Sequence, residues 1–568
     1  MNKRFRTIAM ASAVTGGMIM SSCTLVKDLD YKVLEDPLEM HGDEVKLKMQ
    51  ATFVEKGLNK KASVKLTPIF VCTDGTEIPF DSREFQGEKA AGNGEVITKA
   101  GKTVTYESSR PYQPCMEEGK VIVRIEPKKG DKEKDPITTE GIANGTIITP
   151  YLIQLDDQVM AADDNFVRVT THDTVAVINY DKGRFNVKSS ELKQDDIKGL
   201  EGFITMAQTN ERRDVKSYNI VSYASPEGEI DLNDNLAGDR ATSANEYLTN
   251  FYSKSKIETV PTINKSPKGE DWAGFKTEVE KTDHEDKDLI LRVLEMTSDL
   301  NKREEDIRNM AKTYTFLEKE VLPQLRRSQI VCTYDKVGWS DDELKQLSKT
   351  NPDTLTVEEL LYTAELVDDL NEKLRIYKES ERMYGDDWRT SNNVGYILYM
   401  QNDVDGAKAK FEKAYEIDQN EIVTNNLGAV IHMGGDRDRA KELFMQAGSS
   451  VETSYNLGLV SIQESTSGNY DEALEKMGDN ETFNVALAMV LNGDNEGGLG
   501  MIDKAADADA AYAHYLKAVI GARTDNQEMV ISNLTTAISK DAAYKAKAAK
   551  DAEFLKFKEV DAFKSLVQ

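Results

Sequence analysis

Cysteine is scarce in this chain: there are four in 568 residues, and no two stand at the short spacing that a zinc site needs. Histidine is nearly as rare. His41, His172, His284, His432 and His514 are scattered, and none lies beside a nucleophile motif. No metal and no cofactor is expected, and no residue is assigned a catalytic role. A glycine loop with phosphate-cradling spacing is also missing; Gly497-Gly498-Leu499-Gly500 falls inside a helical repeat. Positive charge is short as well, with 72 basic against 99 acidic residues and a net charge of −27. That balance argues against nucleic acid as a partner and against electrostatic docking on anionic lipid. Beyond the first 20 residues no run of 18 apolar residues occurs, so nothing there predicts a spanning helix.

What is present begins at the N-terminus. Lys3, Arg4 and Arg6 precede an apolar, small-residue stretch over 8–20, and Ser21-Ser22-Cys23 follows. Basic, apolar and small segments in that order predict a secretory signal peptide over 1–22. The cysteine directly after small residues resembles the lipobox of bacterial lipoproteins. That resemblance implies a lipid on Cys23, an outer-membrane anchor, and a tether over 23–41. Residues 24–30 hold one Lys27-Asp28 pair but no dense acidic run of the kind associated with surface export in Bacteroidota. The periplasmic side is therefore expected over the cell surface.

Residues 42–162 read as a β-sandwich. Val45, Leu47 and Met49 alternate, as do Val64, Leu66 and Phe70, and Val121, Val123 and Ile125, with turn signals at Asp74-Gly75 and Gly130-Asp131. No cluster in it suggests chemistry. Cys72 and Cys115 fall in this segment and can pair in an oxidising periplasm; Cys332 is left as a buried free thiol.

Residues 163–338 read as an α/β domain with a charged helical insertion at about 270–325. Its centre is 221–248. A strand-like run, Asn219–Tyr223, breaks at Pro226 and Gly228, and a helix opens near Asp231 carrying Asn233, Leu236 and Arg240-Ala241. This spacing resembles the signature of OmpA-like domains, which hold envelope proteins to peptidoglycan. Ala224-Ser225-Pro226-Glu227-Gly228 is similar to a loop variant of Bacteroidota envelope proteins. The resemblance implies that Arg240 forks two hydrogen bonds to a diaminopimelate carboxylate, while an aspartate takes the ammonium. Fifteen residues before Arg240, where that aspartate belongs, stands Ser225. Glu227 and Asp231 are candidates to replace it. Equally, Asn233 can organise the loop through backbone groups, and Arg240 can form a surface ion pair with Glu227, Asp234 or Asp239.

A linker is expected over 339–353, and 354–568 is a repeat array. Leu361, Gly395, Gly428 and Gly458 recur at intervals of 34, 33 and 30 residues. Each of the first three is followed by an aromatic and a small residue: Tyr377/Ser380, Phe411/Ala414, Phe444/Ala447. Asn393-Val-Gly395, Asn426-Leu-Gly428 and Asn456-Leu-Gly458 are near copies, Tyr470/Ala473 follows a short insertion, and weaker units surround Ala486/Ile502/Ala505 and Ala518/Leu534/Ala537. The pattern resembles the tetratricopeptide repeat, which implies a solenoid of about six units with a C-terminal capping helix and a concave face for polypeptides. The acidity of the region favours a basic or extended polar partner there.

Together these features predict three modules: a β-sandwich, an OmpA-like α/β domain and an all-α tetratricopeptide solenoid. The expected role is a non-catalytic, lipid-anchored envelope scaffold that links outer membrane, peptidoglycan and a protein partner, in an assembly or secretion complex. The alternative is a surface-exposed lipoprotein, in a fibre or complex, whose OmpA-like domain no longer binds peptidoglycan.

Overall fold

The computed structural model describes residues 25–568, the side chain of Ala311 apart. The chain divides into two compact units. One comprises the described residues up to Asp163 together with Asp368–Gln568; the other is Asp164–Val367. Cys23 and the segment expected as a signal peptide lie outside the described residues.

The first unit opens with two packed sheets. In strand Glu44–Phe53 every second residue from Val45 to Phe53 is buried and the others are half-exposed, the period of a strand with one face inward. It pairs antiparallel with Leu29–Val33 and with Lys102–Pro111. In the second sheet Ala62–Cys72 pairs antiparallel with Gly119–Lys129. Leu47, Phe53, Phe70, Phe85 and Val121 belong to one shared core. Cys72 and Cys115 are joined, their Cα atoms 5.5 Å apart. The segment expected as a tether is partly folded: Leu29–Val33 and Leu38–His41 are strands. Their short apolar alternation is hidden among acidic residues in the sequence.

The rest of this unit is a row of antiparallel helix pairs: Trp388–Met400 with Val404–Ile417, Glu421–Met433 with Arg437–Ala447, and Val451–Glu464 with Asp471–Met477. Two further pairs follow, Phe483–Leu491 with Asn495–Ile502 and Ala511–Arg523 with Gln527–Lys540. Asp403, Asp436 and Asp494 cap the second helices of three pairs by accepting a backbone N–H from the third helical residue. Close approach within a pair needs the repeated glycine. A Cβ on Gly395 would lie 2.7 Å from the Phe411 ring, and one on Gly428 would lie 2.8 Å from Phe444. In the third pair Met477, not Tyr470, packs over the glycine. Helices Ala543–Lys550 and Asp561–Val567 close the array over Phe554, Phe557 and Phe563. The sandwich was expected to stand apart from the repeats, but the two form one unit. The Tyr470 hydroxyl lies 2.7 Å from His41 Nδ1, and Arg437 Nη1 lies 3.1 Å from Asp43 Oδ2.

The second unit holds a four-stranded mixed sheet in the order Val169–Asn179, Arg327–Val337, Arg213–Ala224, Thr262–Glu270. The first three neighbours are antiparallel, and Arg213–Ala224 runs parallel to Thr262–Glu270. Helices Asp195–Ala207 and Ile230–Lys254 share one core with the sheet through Ile197, Leu200, Ala241, Leu248, Ile220, Ile330 and Cys332. Thr262–Glu270 was not anticipated, because its lysines and Pro267 suppress a strand pattern; such residues are tolerated on an edge strand. The helical insertion consists of five short α-helices and a π-helical stretch, Leu317–Val321, between Trp272 and Leu325, with a core of their own around Phe275, Ile290 and Leu322. The expected linker is helix Asp341–Thr350, started by a Ser340/Glu343 capping box. Helix Val357–Glu365, read from sequence as the start of the repeats, falls within this unit.

Candidate functional site

The groove of the helix pairs is occupied by the chain itself. Residues 154–162 run through it in extended form, held by asparagines that stand two positions before the crossing residue of successive pairs. Asn393 accepts from the Ala162 N–H at 2.7 Å and donates to the Ala162 carbonyl at 3.0 Å. Asn426 does the same with Met160, at 2.7 and 2.6 Å. Asn456 holds Gln158 at 2.7 and 2.9 Å, and Asn484 holds Gln154 at 2.9 and 2.8 Å. A carboxamide matches the N–H and C=O of one extended residue because it carries an acceptor and a donor side by side. Successive residues of an extended segment point opposite ways, so the ladder takes every second residue from 158 to 162 and then resumes at 154. Asn392 and Asn425 add second bonds to the Met160 and Gln158 carbonyls.

Two side chains of the segment are also read. Asp157, 2% exposed, faces His432, 2% exposed, whose Nε2 lies 2.8 Å from Gln463 Oε1. Both ring nitrogens therefore meet acceptors, which suits the imidazolium. Burial works against that charge, but the hydrogen bond and charge of Asp157 outweigh it and hold His432 above its usual value. Burial raises the Asp157 carboxyl in turn. Tyr399 donates to the Asp157 carbonyl at 2.6 Å. The Asp156 carboxylate accepts from the Tyr455 hydroxyl at 2.8 Å and from Asn484 Nδ2 at 2.8 Å. Leu152 is buried against the core around Phe483 and Leu487, and Val159 packs beside Leu427 and Val430.

The repeats thus hold an extended acidic segment of the same chain, where a basic or polar external partner was expected. Asp157 and His432 were not assigned from sequence: one lies at the end of the 42–162 segment read as β-sandwich, where the structure has no strand, and the other is among scattered histidines. The asparagines were visible as a repeated Asn-x-Gly, but were read as repeat architecture.

In the second unit, the loop after strand Arg213–Ala224 brings most of the predicted residues close to one another. Ser225 donates to Glu227 Oε1, which also accepts from Arg326 Nε at 2.8 Å; Lys182 lies 3.1 Å from Oε2. Burial pushes the Glu227 carboxyl up, but the hydrogen bonds from Ser225 and Arg326 prevail and keep it below its usual value. Asn233 donates to Glu270 Oε1 at 2.8 Å and sits under Gly228. Asp231 is exposed in the first turn of the helix.

Arg240 differs from both sequence readings. It is 0% exposed, and its Nε, Nη1 and Nη2 donate to the carbonyls of Arg184, Tyr223 and Asp181 at 3.0, 2.8 and 3.3 Å. Its guanidinium carbon lies 5.1 Å from the centre of the Tyr180 ring. It is neither a surface ion pair nor a fork open to a ligand carboxylate. Burial lowers its pKa to about 10; Tyr180 and Glu227 only partly offset this, and the charge of Arg326 adds to it. The fork is spent on the main chain because the turn Asp181–Arg184 and the end of strand Arg213–Ala224 converge on it.

Among the described residues no group of three or more His, Cys, Asp or Glu is placed to hold a metal, and no helix is long and apolar enough to cross a membrane.

Tandem antiparallel helix pairs with a glycine at each early crossing form a helical repeat array that holds a segment of the same chain. No family model matches the chain, and no curated protein matches it in sequence. Among solved structures it is similar to Cut9–Hcn1 of the APC/C, at 14% identity over 40% of this chain and 46% of that one, with a TM-score of 0.31. It thus spans under half of that protein's length. A tetratricopeptide repeat protein from Parabacteroides merdae is similar at 13% identity over 40% and 89%, with a TM-score of 0.28. Pseudomonas aeruginosa PilF is similar at 12% over 40% and 97%, with a TM-score of 0.25.

Proposed function

We propose that the protein is a non-catalytic scaffold of a bacterial envelope, anchored in the outer membrane through a lipid on Cys23 and facing the periplasm. The observation that carries the scaffold reading is the asparagine ladder. Its bonds fit an extended polypeptide backbone, and a site built for small-molecule chemistry would need convergent reactive groups instead. The sandwich and the repeats form a rigid clamp, and residues 164–367 form an OmpA-like unit. The buried Arg240 supports the variant in which this fold serves assembly and does not grip the cell wall. Protein partners in an assembly or secretion complex meet the repeats.

Two measurements test this. Metabolic labelling with palmitate should mark the wild-type chain in the outer-membrane fraction and leave Cys23→Ala unlabelled and released. Incubation of the full chain with isolated peptidoglycan should leave it in the supernatant. Retention that is lost on Arg240→Lys, with the unit still folded, would restore the tether.

A further inference from the structure

We propose that the groove of the helix pairs is a recognition site for an extended peptide with two adjacent aspartates flanked by apolar residues, that residues 152–162 are its resident occupant, and that a partner protein bearing such a segment engages the chain by taking their place. The inference goes beyond the scaffold reading and does not depend on the anchor.

Three observations carry it. The ladder reads main chain: Asn393, Asn426, Asn456 and Asn484 each close two bonds on one residue, its N–H and its C=O, and any extended segment presents the same groups. Selectivity comes from fixed positions around the ladder. His432 and Gln463 sit at one acidic position, Tyr455 and Asn484 at the next, and apolar surface receives Leu152 and Val159 at either side. The occupant is also separable. Residues 154–162 belong to no helix and no strand, and among the described residues their backbone N–H groups at 154, 158, 160 and 162 are bound by asparagine side chains. Displacing them breaks no ladder between strands. An intramolecular occupant competes at the millimolar effective concentration typical of a short tether. A partner must therefore match the aspartates and not only the backbone.

The test is fluorescence polarisation with a fluorescein-labelled peptide of residues 150–164 and the purified full chain. The wild type should bind it weakly. Asp156→Ala/Asp157→Ala in the chain, which loosens the occupant, should lower the peptide Kd at least tenfold. Adding Asn426→Ala should remove that gain, and a peptide with both aspartates changed to asparagine should bind at least tenfold more weakly. A loosened chain that melts cooperatively yet binds both peptides alike, or neither, would overturn the proposal. Should the loosened chain not fold, the wild type is treated with excess peptide carrying a photoreactive group at position 159. Crosslinks to helices Glu421–Met433 or Val451–Glu464 support displacement, and crosslinks elsewhere or none overturn it. Dimers formed by exchange of 152–162 between copies would also overturn it, since a second copy would then be the occupant.

Discussion

His432 and Asp157 meet across 275 residues of chain, Nδ1 lying 2.8 Å from Oδ1, in a site where each is almost completely buried. Such a pair is held by geometry and not by net Coulomb gain, because desolvation consumes most of the attraction. Its loss is costly all the same. His432→Ala leaves a buried carboxylate without its partner and should destabilise the first unit by about 3–5 kcal/mol. Urea unfolding followed through that unit's transition checks this; a change under about 1 kcal/mol would show that the pair is not formed.

The same pair sets a pH dependence. His432 is raised in the folded chain, so its contribution is complete below the unfolded value of about 6.5 and is lost as pH rises through the folded value. Asp157 is raised too, so the folded state also holds that proton more tightly and stability again falls as pH rises. The neighbouring Arg437 opposes the imidazolium, and Gln463 and Asp157 favour it. The urea midpoint of the first unit should fall between pH 6 and pH 9, and His432→Gln should flatten the fall. Parallel curves for the two proteins would assign the dependence to other groups.

Asn426→Ala removes two bonds to Met160 and leaves its main-chain N–H without a partner in a packed groove, while its carbonyl keeps the Asn392 Nδ2 bond at 3.1 Å. Each unsatisfied buried group costs about 1–3 kcal/mol. Amide exchange at Met160 should quicken strongly, while amides of the sandwich core keep their protection. Unchanged exchange at Met160 would mean that the ladder contributes nothing to holding the segment.

Much of this architecture is written in local patterns. Alternation of Val45, Leu47 and Met49 marks a strand whatever it packs on, and Gly395 and Gly428 mark helix crossings because a Cβ there strikes an aromatic ring. The occupant of the groove left no such trace. Gln154–Ala162 has neither period, and its conformation is imposed by asparagines more than 200 residues away. Arg240 shows the converse. Its position in a motif was readable, but its bonds depend on the carbonyls of Asp181, Arg184 and Tyr223, whose convergence no spacing predicts.

Arg240→Lys separates a structural arginine from a ligand-binding one. Lysine keeps the charge but offers one point of donation where the guanidinium reaches three separate carbonyls. The second unit should lose about 2–4 kcal/mol, on the basis of about 1–3 kcal/mol for each buried carbonyl left unpaired, less what the lysine recovers. A melt of the full chain should show this transition moved down while that of the first unit stays in place.

Gly395→Ala should destabilise the first helix pair by about 1–3 kcal/mol, the usual cost of overpacking. The added methyl would sit 2.7 Å from the Phe411 ring, and both helices are anchored by their neighbours, so neither can retreat freely. Helix propensity pulls the other way, since alanine is favoured over glycine by up to about 1 kcal/mol inside a helix, and the contact must outweigh it. Phe411→Leu in the same chain should recover part of the loss by clearing the methyl. A double-mutant cycle with positive coupling between the two positions identifies the crossing as the cause; additive losses would place the effect of the glycine elsewhere.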